Sequence, residues 1–208
     1  DPHIEFDDAG ICNHCTAFIG RLQSRRYVKG DSEAEWLRYV EVVKAKGKGK
    51  KYDCIVGVSG GVDSCYTAYL CKQQGLRALL IHMDNGWDTE IAVNNIKSLA
   101  TTLGYDYLSY VLDWEEFREI QLAFLRSSSV DLEMPTDIAI LASIYEVAAK
   151  YGIKYIISGG NLSSEGILPL SWGYHGYKDM RQYRHIVRKY SKVKIRKVPV
   201  VGLFKETY

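Results

Sequence analysis

The chain has 208 residues, of which 47% are apolar and 25% charged, with a formal net charge of +2. This is the profile of a folded globular protein with room for one domain and a small appendage. That charge neither demands nor excludes nucleic acid, and no apolar run approaches the ~20 residues that a membrane span needs. The chain begins at Asp1 rather than Met, as a fragment or processed form would, and shows no signal peptide. Five cysteines at irregular spacing argue against a disulfide framework and for a reducing, cytoplasmic compartment.

Residues 1–50 read as an N-terminal segment and residues 51–208 as the main domain. The first 30 residues look irregular and hold Cys12-Asn13-His14-Cys15. Cys12 and Cys15 have the spacing of a zinc half-site, although tetrahedral zinc needs four ligands, and His14 and His3 complete no usual pattern. A helix follows from the Ser32/Glu35 capping box, with Trp36, Tyr39, Val40 and Val43 at helical spacing and Gly47 as its stop. The basic run KAKGKGKK, residues 44–51, reads as a solvated linker.

From residue 52 the pattern turns β-α-β. Residues 53–58 (DCIVGV) predict a buried parallel strand, 64–74 a helix stopped at Gly75, and 77–82 (RALLIH) a second strand. Residues 89–103 predict a helix closed by Gly104, and 105–112 a third strand. Asp113 caps a helix to about residue 126, Pro135 and Thr136 open another that ends near Gly152, and residues 153–158 predict a fourth strand. Strands alternating with helices imply an α/β fold, a doubly wound parallel sheet with helices on both faces. Ligands of such sheets sit at the carboxyl ends of the strands. The loops at 59–64, 83–87 and 159–166 therefore carry the site. The part from 168 to 208 is aromatic and basic, ends in a β-like KVKIRKVPVVGLF, and predicts no definite element.

Ser59-Gly60-Gly61-Val62-Asp63-Ser64 lies between a buried strand and a helix. Glycines let backbone N–H groups converge on phosphate oxygens, the helix N-terminus adds free N–H groups and a positive dipole end, and Ser59 and Ser64 add hydroxyls. Asp63 beside phosphates calls for a cation, and magnesium is the natural one. A Walker A loop would need a Lys that is missing, and a dinucleotide fingerprint would need GxGxxG. Residues 57–61 also match the GxSxG nucleophile elbow, with His175 and His185 downstream, but that elbow follows several earlier strands, and none is evident before residue 53.

SGGVDS after an apolar strand resembles the PP-loop of ATP pyrophosphatases, an adenine nucleotide alpha hydrolase-like fold. Together with GICNHC from Gly10, MDNGW from Met83 and GGNLSSEG from Gly159, it makes the chain similar to the N-acetyl sugar amidotransferases of surface-polysaccharide biosynthesis (lipopolysaccharide O-antigen and flagellin sugars). The resemblance implies an ATP-dependent, AMP- and pyrophosphate-forming enzyme. It would adenylate the acetamido oxygen of a nucleotide-linked N-acetyl sugar and replace it with ammonia from a separate glutaminase subunit. It implies further that Ser59, Gly60, Gly61, Val62, Asp63 and Ser64 hold the pyrophosphate end, and that Met83 and Asp84 border adenine and ribose. Gly159 and Asn161 would close the site, while Asp137 and Glu165 handle magnesium or a proton. Asn85 and Trp87 face the sugar in this reading, although burial is the commoner fate of a Trp. A second Cys pair upstream, which would complete a zinc site with Cys12 and Cys15, and a longer C-terminus are expected of such enzymes. Two other readings compete. The basic stretch from Arg181 to Lys197 suits a PP-loop enzyme of tRNA thiolation or lysidine type, although MDNGW and GGNLSSEG weigh against nucleic acid. A degenerate PP-loop subunit without turnover is the other, and the intact Ser59, Asp63 and Ser64 argue against it.

Overall fold

The computed structural model describes residues 1–24, 30, 32–161 and 179–201. Its described elements are α1 (Asn13–Ser24), α2 (Ser32–Gly47), β1 (Cys54–Gly57), α3 (Val62–Gln73), β2 (Ala78–Asp84), α4 (Glu90–Leu103), β3 (Asp106–Val111), α5 (Trp114–Arg126), α6 (Met134–Tyr151), β4 (Ile156–Ile157) and α7 (Met180–Tyr190). The strands form one parallel sheet in the order β3-β2-β1-β4. The chain therefore steps outward from β1 through β2 to β3 and then crosses back to pair β4 on the other side of β1. That reversal opens a crevice between the carboxyl ends of β1 and β4, where ligands of such sheets bind.

The apolar strands are uninterrupted because both faces are covered. Along β1 and β2, Cys54, Val56, Ala78 and Leu80 point into a cluster with Ala68, Cys71, Ile96 and Leu103 of α3 and α4, joined by Val40 and Val43 of α2. The alternating Ile55, Leu79 and Ile81 point the other way, onto Ile144, Val147 and Ala148 of α6. The caps follow the sequence: the Thr89 side chain accepts from Ala92 N, and that of Asp113 accepts from Glu116 N. Gly104 and Gly152 close α4 and α6 at φ 62° and 64°, left-handed values that suit glycine. At the other end of the sheet, buried Asp53 accepts two bonds from the Arg77 guanidinium, at 3.1 and 2.6 Å, and one from its backbone N–H.

Four expectations are corrected. Residues 13–24 form a helix rather than irregular chain; Cys15, Phe18, Ile19 and Leu22 lie at helical spacing along it, and none of its residues is fully buried. α3 begins at Val62, so Asp63 and Ser64 sit in a helical first turn rather than in the loop. β4 is two residues long because the chain pairs with β1 only at Ile156 and Ile157. The β-like tail joins no sheet in its described part, residues 191–201, where α7 precedes it. Its N–H groups go instead to carboxylates of α5: Glu116 Oε2 accepts from Arg196, Lys197 and Val198 at 2.8, 2.7 and 3.2 Å, and Glu119 Oε1 accepts from Lys192 N and Arg126 Nη1, both at 2.6 Å. Tyr183, Ile186 and Val198 fill the apolar cluster beneath, against Phe117, Ile120 and Phe124.

Burial pushes the Glu116 carboxyl up, but the three N–H groups outweigh it and hold it below its ordinary value; Arg126 and the Lys192 N–H do the same for Glu119. Both values are lowered, so their stabilisation is complete above the unfolded carboxylate range and is lost as pH falls through the folded values. Amide-exchange protection of residues 192–198, corrected for intrinsic rates, should therefore be high at about pH 7 and decline on acidification. In Glu116→Ala it should be at least about tenfold lower already at pH 7, given ~1.5–3 kcal/mol for a hydrogen bond to a charged group.

Candidate active site

A cleft of ≈ 600 Å³ lies at the switch point. Ser59, Gly61, Val62, Asp63 and Ser64 form one wall, Ser158, Gly159 and Gly160 a second, and His82, Met83, Asn85 and Asp88 a third. Thr136 and Asp137 enter from the first turn of α6, and Ile81, Ile140, Ile144, Ile156 and Ile157 make an apolar floor.

The phosphate loop is shaped by its own hydroxyls and by a neighbouring helix. Ser59 N donates to Ser64 Oγ at 3.2 Å, Ser64 Oγ donates to Gly61 O at 3.1 Å, and the two serine oxygens lie 3.3 Å apart. Gly61 is the N-cap of α3, in extended conformation with no side chain capping the helix. The first-turn N–H groups thus open into the cleft, as anion binding requires. Gly60 has φ 77°, and a Cβ there would lie 2.5 Å from Ala92 O and 2.8 Å from Ala92 Cα, so α4 seats directly against the loop. Asn95 Nδ2 adds a bond to Gly60 O at 3.1 Å. From the other side Gly159 closes on α3: a Cβ there would lie 3.0 Å from both Ser64 Cα and Ser64 N. Asn161 Nδ2 reaches Asp63 Oδ1 at 3.3 Å.

The structure thus gathers Ser59, Gly61, Val62, Asp63, Ser64, Met83, Asp137 and Gly159 on the cleft walls, with Gly60 behind the loop and Asn161 on Asp63. Asp84 is not on the lining; its Oδ1 accepts from Gly86 N at 2.9 Å in a local turn. Glu165 lies outside the described residues, as do residues 162–178 and 202–208 of the C-terminal part. Trp87 is not buried: it is 64% exposed, packs edge-on to Trp114 at 5.5 Å, and donates from Nε1 to Gln121 at 2.9 Å. Cys12 and Cys15 lie outside the lining. Cys15 N donates to Cys12 Sγ at 3.3 Å, and the Cys15 backbone and thiol hold the Cys12 thiol below its ordinary value while the Cys12 thiol pushes Cys15 up. Among the described residues no group of three or more His, Cys, Asp or Glu side chains could hold a metal ion, so the two thiols stand without further zinc ligands there. No helix among the described residues is long and apolar enough to cross a membrane. Sequence reasoning missed His82 and Asp88, whose side chains bond at 2.8 Å on the cleft wall; the one signal was an ionisable residue directly after the apolar run Ala78 to Ile81.

Comparison with known proteins then decides the family. The family model described as thiamine biosynthesis protein (ThiI) matches residues 49–165, more than half of the chain. The chain belongs to the ThiI family. SGGVDS is accordingly the PP-loop of an ATP pyrophosphatase-type domain, and the matched span contains β1 through β4 and the described cleft. An uncharacterized protein of Methanocaldococcus jannaschii is 25% identical over 186 residues, 89% of this chain and 61% of its own length. The tRNA-specific 2-thiouridylase MnmA of Polaromonas sp. is 30% identical over 156 residues, 65% of this chain and 38% of its own; MnmA 1 of Geobacillus kaustophilus is 30% identical over 124 residues, 53% and 33%. The chain therefore spans less than two thirds of the length of each of these relatives. Among solved structures, the glutamine-dependent NAD+ synthetase from Acinetobacter baumannii has a TM-score of 0.49 at 20% identity, covering 67% of this chain and 25% of that one. The NH3-dependent NAD synthetase from Campylobacter jejuni has a TM-score of 0.46 at 19% identity, covering 73% and 69%.

The seat of this ThiI-family loop on α4 leaves no room at Gly60. Gly60→Ala combines a left-handed φ with a Cβ inside contact distance of Ala92 O, so it should lower unfolding stability by about 1–3 kcal/mol. Urea denaturation of the variant beside the parent measures it.

Proposed function

We propose that this cleft binds ATP with its β- and γ-phosphates on the PP-loop and that the protein transfers AMP to a substrate oxygen with release of pyrophosphate. The uncapped first turn of α3, closed over by Gly159 at van der Waals distance, carries this reading. It offers converging N–H groups and two serine hydroxyls with no Cβ in the way. The isoleucine floor and Met83 suit the flat apolar face of adenine. Asp63 and Asp137 bring two carboxylates into the cleft from α3 and α6. That fits magnesium, which takes one or two carboxylates and completes its shell with phosphate oxygens and water. Magnesium there supplies neutralising charge to the polyphosphate. The protein supplies position and fixed dipoles aimed at the developing charge.

The substrate we propose is the acetamido group of a nucleotide-linked N-acetyl sugar, on the similarity of GICNHC, MDNGW and GGNLSSEG to the sugar amidotransferases. The amide oxygen attacks the α-phosphorus, the bond to the bridging α–β oxygen breaks, and pyrophosphate leaves. Ammonia from a separate glutaminase adds to the activated carbon and loses a proton; the carbon–oxygen bond then breaks and AMP departs with the former amide oxygen. The exposed Trp87, held in place by Trp114 and Gln121, and Asn85 on the cleft wall border the space such a substrate needs.

A second reading, tRNA modification, is favoured by the thiouridylase relatives and by Arg184, Arg188, Lys194 and Arg196 around a groove of ≈ 440 Å³ beside α7. Product analysis with ATP, magnesium and ammonium tests both, using a panel of nucleotide-linked N-acetyl sugars in one series and unmodified tRNA in another. AMP and pyrophosphate dependent on a sugar, and reduced at least about a hundredfold in Asp63→Ala, is the expected result. Dependence on tRNA instead would select the second reading, and ADP with phosphate would overturn both.

A further inference from the structure

One ionisable pair on the cleft wall has no part in the reading above. The His82 side chain is only 8% exposed, two residues before the end of β2. Its Nδ1 lies 3.0 Å from Val58 O, and its Nε2 lies 2.8 Å from Asp88 Oδ2. Both partners are acceptors. A main-chain carbonyl has no hydrogen to give, and a carboxylic acid is far more acidic than an imidazolium, so the proton shared by such a pair resides on the ring. A neutral imidazole has one N–H and can satisfy one of these two oxygens. It would turn a bare nitrogen lone pair on the other, in a buried place where an unmade bond is expensive. The two bonds coexist when the ring carries hydrogen on both nitrogens.

The oxygens it joins are placed to matter. Val58 leads directly into Ser59 of the loop, and its own N–H is already fixed on Ile81 O at 2.8 Å. Asp88 precedes Thr89, the N-cap of α4, the helix whose Ala92 and Asn95 seat Gly60. The ring therefore ties the entry to the phosphate loop to the helix that backs it. Among the described lining residues the other ionisable side chains are Asp63 from α3, Asp88, and Asp137 from α6, with no Lys or Arg. Glu90, in the first turn of α4, is exposed, and β1 presents no ionisable side chain to the cleft.

We propose that His82 is a positively charged positioning residue, bridging Val58 O and Asp88, and that nucleotide affinity at the PP-loop depends on both of its N–H groups. The second half rests on the nucleotide reading; the first does not. Two measurements on the full chain separate them. Nitrogen-15 spectra of histidine-labelled protein without nucleotide, with His82 assigned by its loss in His82→Asn, should show hydrogen on both ring nitrogens at about pH 7. A lone-pair nitrogen in that spectrum overturns the proposal. Calorimetric titration with ATP in excess magnesium should then show affinity roughly tenfold weaker in Asp88→Ala than in the parent, the worth of about one hydrogen bond to a charged group. In Asp88→Asn the amide N–H can donate to Nε2 while Nδ1–H keeps Val58 O, so the bridge is complete again and the affinity should return to within about threefold of the parent's. The same loss in Asp88→Asn as in Asp88→Ala, or no loss in either, overturns the positioning role. Protonated ring nitrogens with no ATP binding in the parent uphold the bridge and overturn the nucleotide reading together with the affinity claim.

Discussion

The site depends on two main chains meeting with no side chain between them. Gly159, leaving β4, lies so close to the first turn of α3 that a methyl group would press on Ser64 Cα and Ser64 N at 3.0 Å. That approach is possible because β1 and β4 are neighbours in the sheet although distant in sequence. It brings the phosphate loop after one strand against the glycines after the other. A second close approach, Ala92 of α4 on Gly60, fixes the loop from behind. Between them the helix N-terminus is left open to a ligand and shielded on both flanks, which is what a polyphosphate cradle must provide.

Much of this was legible in the sequence because its causes are local. Thr89 and Asp113 announce helices by what their side chains can accept, and Gly104 and Gly152 close helices by a conformation that other residues resist. The apolar runs of β1 and β2 reveal a sheet covered on both faces. SGGVDS between strand and helix identifies the phosphate loop, and the family match and the cleft agree with it.

The rest is tertiary. Glu116 reads as an ordinary acidic residue in the first turn of α5, yet it collects three N–H groups from residues some eighty positions away. Without that carboxylate in view, KVKIRKV looks like a strand. α1 buries nothing, although Cys15, Phe18, Ile19 and Leu22 stand at helical spacing along it. His82 sits in a run that reads as core strand, and only the fold shows that both ring nitrogens meet acceptors. Asp84 looks as well placed for a ribose as Asp88 is for nothing in particular. The turn at Gly86 reverses this, folding Asp84 onto the backbone and putting Asp88 on the wall.

On the reading proposed above, the loop after β1, closed by Gly159, is where the phosphates of ATP sit. The most direct measurement is a crystal structure with magnesium and an ATP analogue whose α–β bridge is a methylene, which cannot be cleaved there. The β- and γ-phosphate oxygens should lie within hydrogen-bond distance of the backbone N–H groups of residues 60–64 and of the Ser59 and Ser64 hydroxyls, with the adenine against the isoleucine floor. Phosphates bound elsewhere, with the first turn of α3 left open, would contradict it.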